Sequence, residues 1–532
     1  MRAALFLLRR IPPGVWTLLG AFLLCALLLD PLNPFPLDDD WGYALSVRMS
    51  MAAGAFVPSE AQAVSMAMQV LWGWLFCLPF GFSMEALRLS TMVLSWLGLL
   101  AFYGSLRELD LDDAWSAAGA LCLLFNPLFF ILSFTFMTDV PALSWMLLSG
   151  FAFLRGLKNG DERWLAAGAV LSGFAYLVRQ PGLALSAAAV LWMLFSGKGS
   201  KRACLLVGGI ALAFAAGHAL WAPRREGVHE LVWLMRGHAA DLPSFAADLL
   251  RRSSGAVLYL GLFLLPWAAG GGIRKGGKAA ALSLLGLFAC VWVLGLGPQT
   301  GNLVGRFGLG TCTLTGSCGL KASGIFGSPA FWSACFLAGL ASALSLACRI
   351  GLPMEFLKGP AGAWSSGFLL AFLPYLPPAD FYDRYYLVLF PPAIALAAAV
   401  LRPARLAFGL GLCALAAWCL FGAGDYLAWN RAKWRAGAIL CGQGLRPEEV
   451  SNGFDWNDWF NYERRLAELG GRRPSGGHTR HWWDESRMRA AVSFASGTRS
   501  EELRPAGRVG YWSPLTFRTE YLYLWVRARP AP

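Results

Sequence analysis

Three adjacent carboxylates, Asp38, Asp39 and Asp40, stand in the segment Pro36-Leu-Asp-Asp-Asp-Trp-Gly-Tyr43. Crowded like charges repel, so such a run favours a raised pKa, a metal ion or a basic partner. It suits plain helix capping ahead of Trp41–Ala53 equally well. A second acid, Asp139, lies in Phe136-Met-Thr-Asp-Val-Pro141, a sequence that can open a helix with proline in its first turn. Two arginines occupy breaks between apolar runs: Arg179 in Tyr176-Leu-Val-Arg-Gln-Pro181 and Arg384 in Phe381-Tyr-Asp-Arg-Tyr-Tyr386. An arginine at membrane depth either snorkels to water or pairs with an anion. Guanidinium forks hold phosphate oxygens, and a carboxylate can take the proton from an attacking hydroxyl or amine. Such a set suits transfer of a group from a lipid-linked phosphate to an acceptor at the water boundary.

These residues need a membrane scaffold. The 532 residues are 57% hydrophobic and only 14% charged, which excludes an ordinary soluble enzyme. Apolar runs recur at roughly 13–30, 86–104, 114–134, 140–155, 164–178, 182–196, 203–221, 255–271, 279–297, 330–348, 362–377, 385–401 and 405–423, near the length needed to span a bilayer. Lipid satisfies no backbone polar groups, so helices are expected. The fold class is therefore an all-α polytopic membrane protein with about 13 transmembrane helices, outer-face juxtamembrane helices and a small C-terminal α/β domain. The basic start (Arg2, Arg9, Arg10) and apolar Val15–Leu29 resemble a signal peptide, but without a small-residue cleavage site a retained helix is expected.

Charge orients the scaffold. If 64–82 does not cross, Arg155, Lys158 and Arg163 share the cytoplasmic side with Lys198, Lys201 and Arg202, with Arg274, Lys275 and Lys278, and with Arg402 and Arg405. Counting 64–82 as a span flips every later loop, so that stretch is read as an interfacial helix on the outer face. Acidic Ser105–Asp113 and the arginine-bearing loop Pro223–Ser254 fit this less well. The net charge of +13 then reflects loops beside anionic lipid rather than nucleic-acid binding. The 12 cysteines show no zinc spacing, although Cys312 and Cys318 share an outer loop and can pair if that side is oxidising.

After Phe421 the apolar pattern stops. Residues 1–424 read as the membrane catalytic domain and 425–532 as an extracytoplasmic soluble domain. In the latter, Glu448–Leu469 favours helix and Arg508–Arg529 alternates like paired strands. The aromatic segment Phe454–Phe460 reads as small-domain core rather than a sugar platform.

The ordered motif set resembles the GT-C superfamily of polyprenyl-phosphate-sugar-dependent glycosyltransferases, especially its protein O-mannosyltransferase and lipid A aminoarabinose transferase branch. Asp39-Asp40-Trp-Gly-Tyr43 corresponds to the acidic pair after the first span, Thr138-Asp139 to the second-loop motif, Arg179-Gln180-Pro181 to the basic turn and Arg384–Leu387 to the Arg-Tyr-Tyr-Leu segment. The resemblance covers most of residues 13–401. The third carboxylate, Asp38, leaves the register of the acidic pair open by one residue.

The resemblance implies that Asp39, or its neighbour Asp40, is the base. It assigns Asp139 to orienting the acceptor or the first loop, and Arg179 and Arg384 to the phosphate, with Arg306 and Arg224 as further candidates. Tyr43 and Tyr385 are expected at the substrate. The implied partners are a polyprenyl-phosphate sugar donor, the bilayer and an extracytoplasmic glycan, lipid or protein acceptor, at the plasma (inner) membrane, with no nucleic acid. The family leaves a divalent metal ion open. A lipid-linked-glycan transporter or flippase is the main competing class, and a non-catalytic scaffold a third. Few acidic residues inside the spans and no half-chain symmetry speak against transport.

Overall fold

The computed structural model describes residues 11–61, 66–221, 241–269, 272–296, 301–351, 354–376, 381–472, 482–497 and 502–527. Each apolar run coincides with helical backbone over its described part. Six described helices are long and apolar enough to cross a membrane, or seven if the bent pair Asp113–Leu124 and Pro127–Ser133 forms one broken span. The chain is a multi-pass membrane protein, but a count of about 13 spans is not established. Several runs form shorter apolar helices, including Pro13–Leu29 and Gly277–Val293.

Local chemistry explains the breaks. The 72° bend in the pair falls at Asn126, whose side chain accepts the N–H groups of Leu128 and Phe129 while Pro127 takes the first helical position. The run expected at 255–271 begins earlier, in helix Leu242–Phe263, because Asp241 caps it by accepting the Ser244 N–H. The predicted loop Pro223–Ser254 is thus partly helix, while its residues 223–240, Arg224 among them, lie outside the described residues.

The stretch 64–82, read as an outer-face interfacial helix, is helical over its central part. Its helix, Ala67–Cys77, has 11 residues. That is a rise of about 16 Å against a hydrocarbon core of about 30 Å. Gly73 lets it pack tightly, since a Cβ there would lie 2.8 Å from Phe136 and 2.9 Å from Leu87. The Met68 N–H donates to the Leu177 carbonyl at 3.2 Å, so this helix touches both the Asp139 and the Arg179 segments.

At the other end of the chain, helix Arg405–Gly442 runs unbroken for 38 residues. The expected boundary at 424/425 falls inside it, so the change from apolar to polar sequence is a change of surroundings along one rod. Beyond it, helix Phe454–Glu468 and a four-stranded sheet complete the C-terminal region. The sheet order is β3-β4-β6-β5, after a separate small hairpin of β1 (Val304–Gly305) and β2 (Gly308–Leu309). Strand β3 is Val450–Ser451, β4 Ala490–Ser493, β5 Leu503–Ser513 and β6 Arg518–Arg527. The β5–β6 hairpin matches the alternation read from the sequence.

Buried ion pairs fix this region to the rod. Lys433 donates to both oxygens of Asp455 and, at 2.7 Å, to Thr313 Oγ1. Lys321 meets Asp425 at 2.5 Å, and Asp425 also accepts the Ser513 hydroxyl. Cys312 and Cys318 form a disulfide within the loop that supplies Thr313.

Candidate active site

The Asp-Asp-Asp segment ends in helix Asp40–Ala53, and its three carboxylates have three different environments. Asp38 has φ 56°, a left-handed conformation that Asp tolerates better than most residues. This turns its side chain inward, where Thr311 Oγ1 donates to it at 2.9 Å. Burial, followed by the charge of Asp39, raises the Asp38 carboxyl to about 8, against the opposing pull of Arg384 and Thr311. Asp40 is fully buried and accepts the N–H groups of Leu37 at 2.6 Å and Phe136 at 3.2 Å. Burial raises it to about 7 despite Arg88, whose guanidinium lies 3.9 Å away. Asp39 alone keeps an open carboxylate: its side chain is 42% exposed and 3.7 Å from Arg384 Nη2.

The second acidic motif reaches the same place. Asp139 begins helix Asp139–Asn159, and its Oδ1 lies 3.0 Å from Arg179 Nη2 and 3.8 Å from Arg384 Nε. Arg179 also donates through Nε to Thr138 Oγ1 at 2.9 Å. The Arg384 turn is held by its neighbour Asp383, which accepts the Tyr259 hydroxyl at 3.0 Å and the N–H groups of Leu303 and Val304. Asp139, Arg179, Arg384, Tyr375 and Tyr385 line one small cavity. Tyr375 and Tyr385 stack at 4.4 Å, and the Arg179 guanidinium sits 5.8 Å from the Tyr385 ring centre. Tyr43 is buried within reach of the charges of Asp39, Asp139, Arg179 and Arg384.

Among the described residues, two groups in this cluster are buried without a hydrogen-bond partner: Asp139 Oδ2 and Arg384 Nε. Buried polar atoms are normally satisfied, so an acceptor and a donor left open side by side mark a place for a ligand's polar atoms.

The structure thus brings together Asp39, Asp139, Arg179, Arg384, Tyr43 and Tyr385, with Asp40 directly behind them. It does not bring Arg306 into the cavity. That residue is exposed at the β1–β2 turn, its guanidinium 4.8 Å from the Phe307 ring centre. Two residues escaped the sequence reading. Arg88 is fully buried and donates to the carbonyls of Pro31, Asn33 and Phe35, at 2.8, 3.0 and 2.7 Å, which shapes the whole first loop. Its signal was a lone charge inside an apolar run. Tyr375 had no motif to announce it. Among the described residues, no group of three or more His, Cys, Asp or Glu side chains is arranged to hold a metal ion.

Residues 68–221, which include Asp139 and Arg179, match the family model of dolichyl-phosphate-mannose-protein mannosyltransferases. The match spans less than a third of the chain. Among solved structures it is similar to ArnT from Cupriavidus metallidurans, in the undecaprenyl-phosphate-bound state (13% identity, TM-score 0.39) and in the apo state (15% identity, TM-score 0.41). Each covers 96% of this chain and 97% of that one, a likeness too distant to carry residue-level argument. No curated protein matches the sequence.

Proposed function

We propose that this protein is a membrane glycosyltransferase that moves a sugar from a polyprenyl-phosphate donor to an extracytoplasmic acceptor. The observation that carries it is the meeting, in one cluster, of an open carboxylate (Asp39) with two guanidinium groups that share a second acid (Asp139). The matched family's description names a dolichyl-phosphate-linked sugar, which is a polyprenyl phosphate.

Asp39 removes the proton from the acceptor hydroxyl or amine, and the freed lone pair attacks the anomeric carbon from the face opposite the phosphate. The carbon–oxygen bond to the phosphate breaks, the configuration inverts, and the polyprenyl phosphate leaves with the bonding electrons. Arg384 and Arg179 stabilise that departing charge. Asp139 holds the two guanidinium groups in register, and its unpaired oxygen is free to accept from the acceptor. Asp40 positions the base: its oxygens are taken by the N–H groups of Leu37 and Phe136, which ties the first loop to the Asp139 segment. The charge-bias topology puts the cluster on the outer face, together with the region after residue 424.

The test is a strain lacking the gene, profiled by mass spectrometry of its envelope glycolipids and glycoproteins. One sugar should be missing, restored by the wild-type chain and not by Asp39→Asn. Near-normal transfer in both Asp39→Asn and Asp40→Asn removes the base from the scheme. Uptake of lipid-linked glycan by vesicles with no sugar transfer would favour the flippase class instead.

A further inference from the structure

A second cleft lies apart from the acidic cluster, where the end of helix Pro13–Leu29, the polar half of helix Arg405–Gly442 and strand β5 meet. Its volume is about 570 Å³, within the range of small-molecule sites. Leu28, Leu29 and Ala428 form its apolar side, and Arg431, Arg435 and Tyr511 its polar side. Gly424 lines its lower end.

The polar side has capacity to spare. Arg431 donates through Nε to Asn33 Oδ1 at 2.9 Å and through Nη2 to the carbonyls of Leu29 and Asp30. Arg435 donates through Nη2 to the Gly510 carbonyl at 2.7 Å. A guanidinium has five N–H groups, so the Nη1 of both arginines and the Nε of Arg435 remain for another acceptor. Tyr511 lines the cleft beside them and is itself buried. One carboxylate on this side, Asp30, is 3.7 Å from Arg431 and 80% exposed at its side chain. It neutralises one arginine only in part.

The apolar side continues into lipid. Leu24, Leu27 and Leu28 are exposed on the outside of a helix read as a span, and Phe421 is exposed on the long helix below the arginines. Phe421 to Arg431 is a rise of about 15 Å, so one helix carries a lipid-facing ring and a phosphate-competent fork within the length of a headgroup and its upper acyl chain. Trp512 and Phe517, exposed on the β5–β6 hairpin, suit the membrane–water boundary.

We propose that this cleft binds an anionic phospholipid of the bilayer. The phosphate lies between Arg431 and Arg435, and the acyl chains run along Leu28 and Ala428. The occupant is set by charge and shape together: two guanidinium groups demand an anion, and a wall continuous with a lipid-facing helix demands a tail. Arg431 also holds the carbonyls that open the first loop, and Arg88 holds that loop further along, up to Phe35. The bound lipid thereby steadies the segment leading to Asp38–Asp40.

The full-length protein would be reconstituted in nanodiscs of phosphatidylcholine with graded phosphatidylglycerol, and retained lipid counted by native mass spectrometry. Wild type should retain phosphatidylglycerol at least about fivefold over phosphatidylcholine, about 1 kcal/mol of preference. Arg435→Ala and the cleft-filling Ala428→Phe should each remove that preference, while their sugar transfer in detergent stays at the wild-type level. Two variants of opposite character guard against one folding poorly. Equal retention of both lipids by wild type, or undiminished preference in both variants, overturns the proposal. So does stabilisation by millimolar inorganic phosphate that equals that by phosphatidylglycerol, because the site would then read a free anion rather than a lipid. Loss of transfer in Asp39→Asn leaves this measurement untouched, so the two readings fail separately.

Discussion

Two clusters of buried charge in this protein look alike in composition and differ in one respect. Around Lys433, the ammonium is saturated by both oxygens of Asp455 and by Thr313. Around Arg384, the same ingredients leave a donor and a carboxylate oxygen unpaired and one acid partly exposed. Burial of charge is costly in either place, and a saturated pair offsets the cost from within. An unsaturated one is a cost carried for something that is yet to bind. Between these two clusters, completeness of pairing rather than burial is what differs.

The sharpest break of that comparison is Asp39→Asn. Transfer should fall about 10³-fold with unchanged thermal stability, as expected of a lost general base. An equal fall in melting temperature would make Asp39 structural after all. Next in size is Asp455→Asn, which leaves Lys433 buried without its counter-charge. It should cost about 3 kcal/mol of stability in a denaturation series, with transfer per folded molecule retained. Arg384→Gln should lower transfer roughly 10²-fold by removing charge from the leaving phosphate, with a smaller effect on donor binding measured separately.

The smallest effect concerns Asp38. Its folded pKa of about 8 exceeds the ordinary carboxylate value, so the folded state holds a proton the unfolded chain has released. Stability from this group is fully present below the ordinary value and drains away as pH rises towards 8. Asn fits the left-handed backbone and can still accept from Thr311. Asp38→Asn should therefore raise the melting temperature by about 2 °C at pH 8 and by little at pH 4. A uniform shift across pH would contradict the assignment.

Much of this was legible in the chain because it is local. Apolar runs dictate helices and the alternation after Arg508 dictates a hairpin, whereas the bend at Asn126-Pro127 falls inside what reads as one run, 114–134. Charge bias alone singled out 64–82, which carries an 11-residue helix. Acidic and basic motifs far apart in sequence were expected in one place, and they lie together. What sequence could not give is which carboxylate of three faces outward. That choice is made by Thr311 and Arg88, partners 273 and about 50 residues away, through contacts no local pattern encodes. The continuation of the last apolar helix past residue 423 was hidden for a related reason. Its polar half is shielded by the sheet instead of lipid, so its composition changes while its backbone does not.

That unbroken helix has a mechanical meaning. At 38 residues it is about 57 Å long, nearly twice the hydrocarbon thickness, and its upper half is riveted to the C-terminal region through Lys433 and Asp425. A tilt of about 10° in the bilayer would sweep its far tip sideways by roughly 10 Å. Membrane thickness is thereby transmitted, as through a tiller, to the part of the molecule farthest from the lipid.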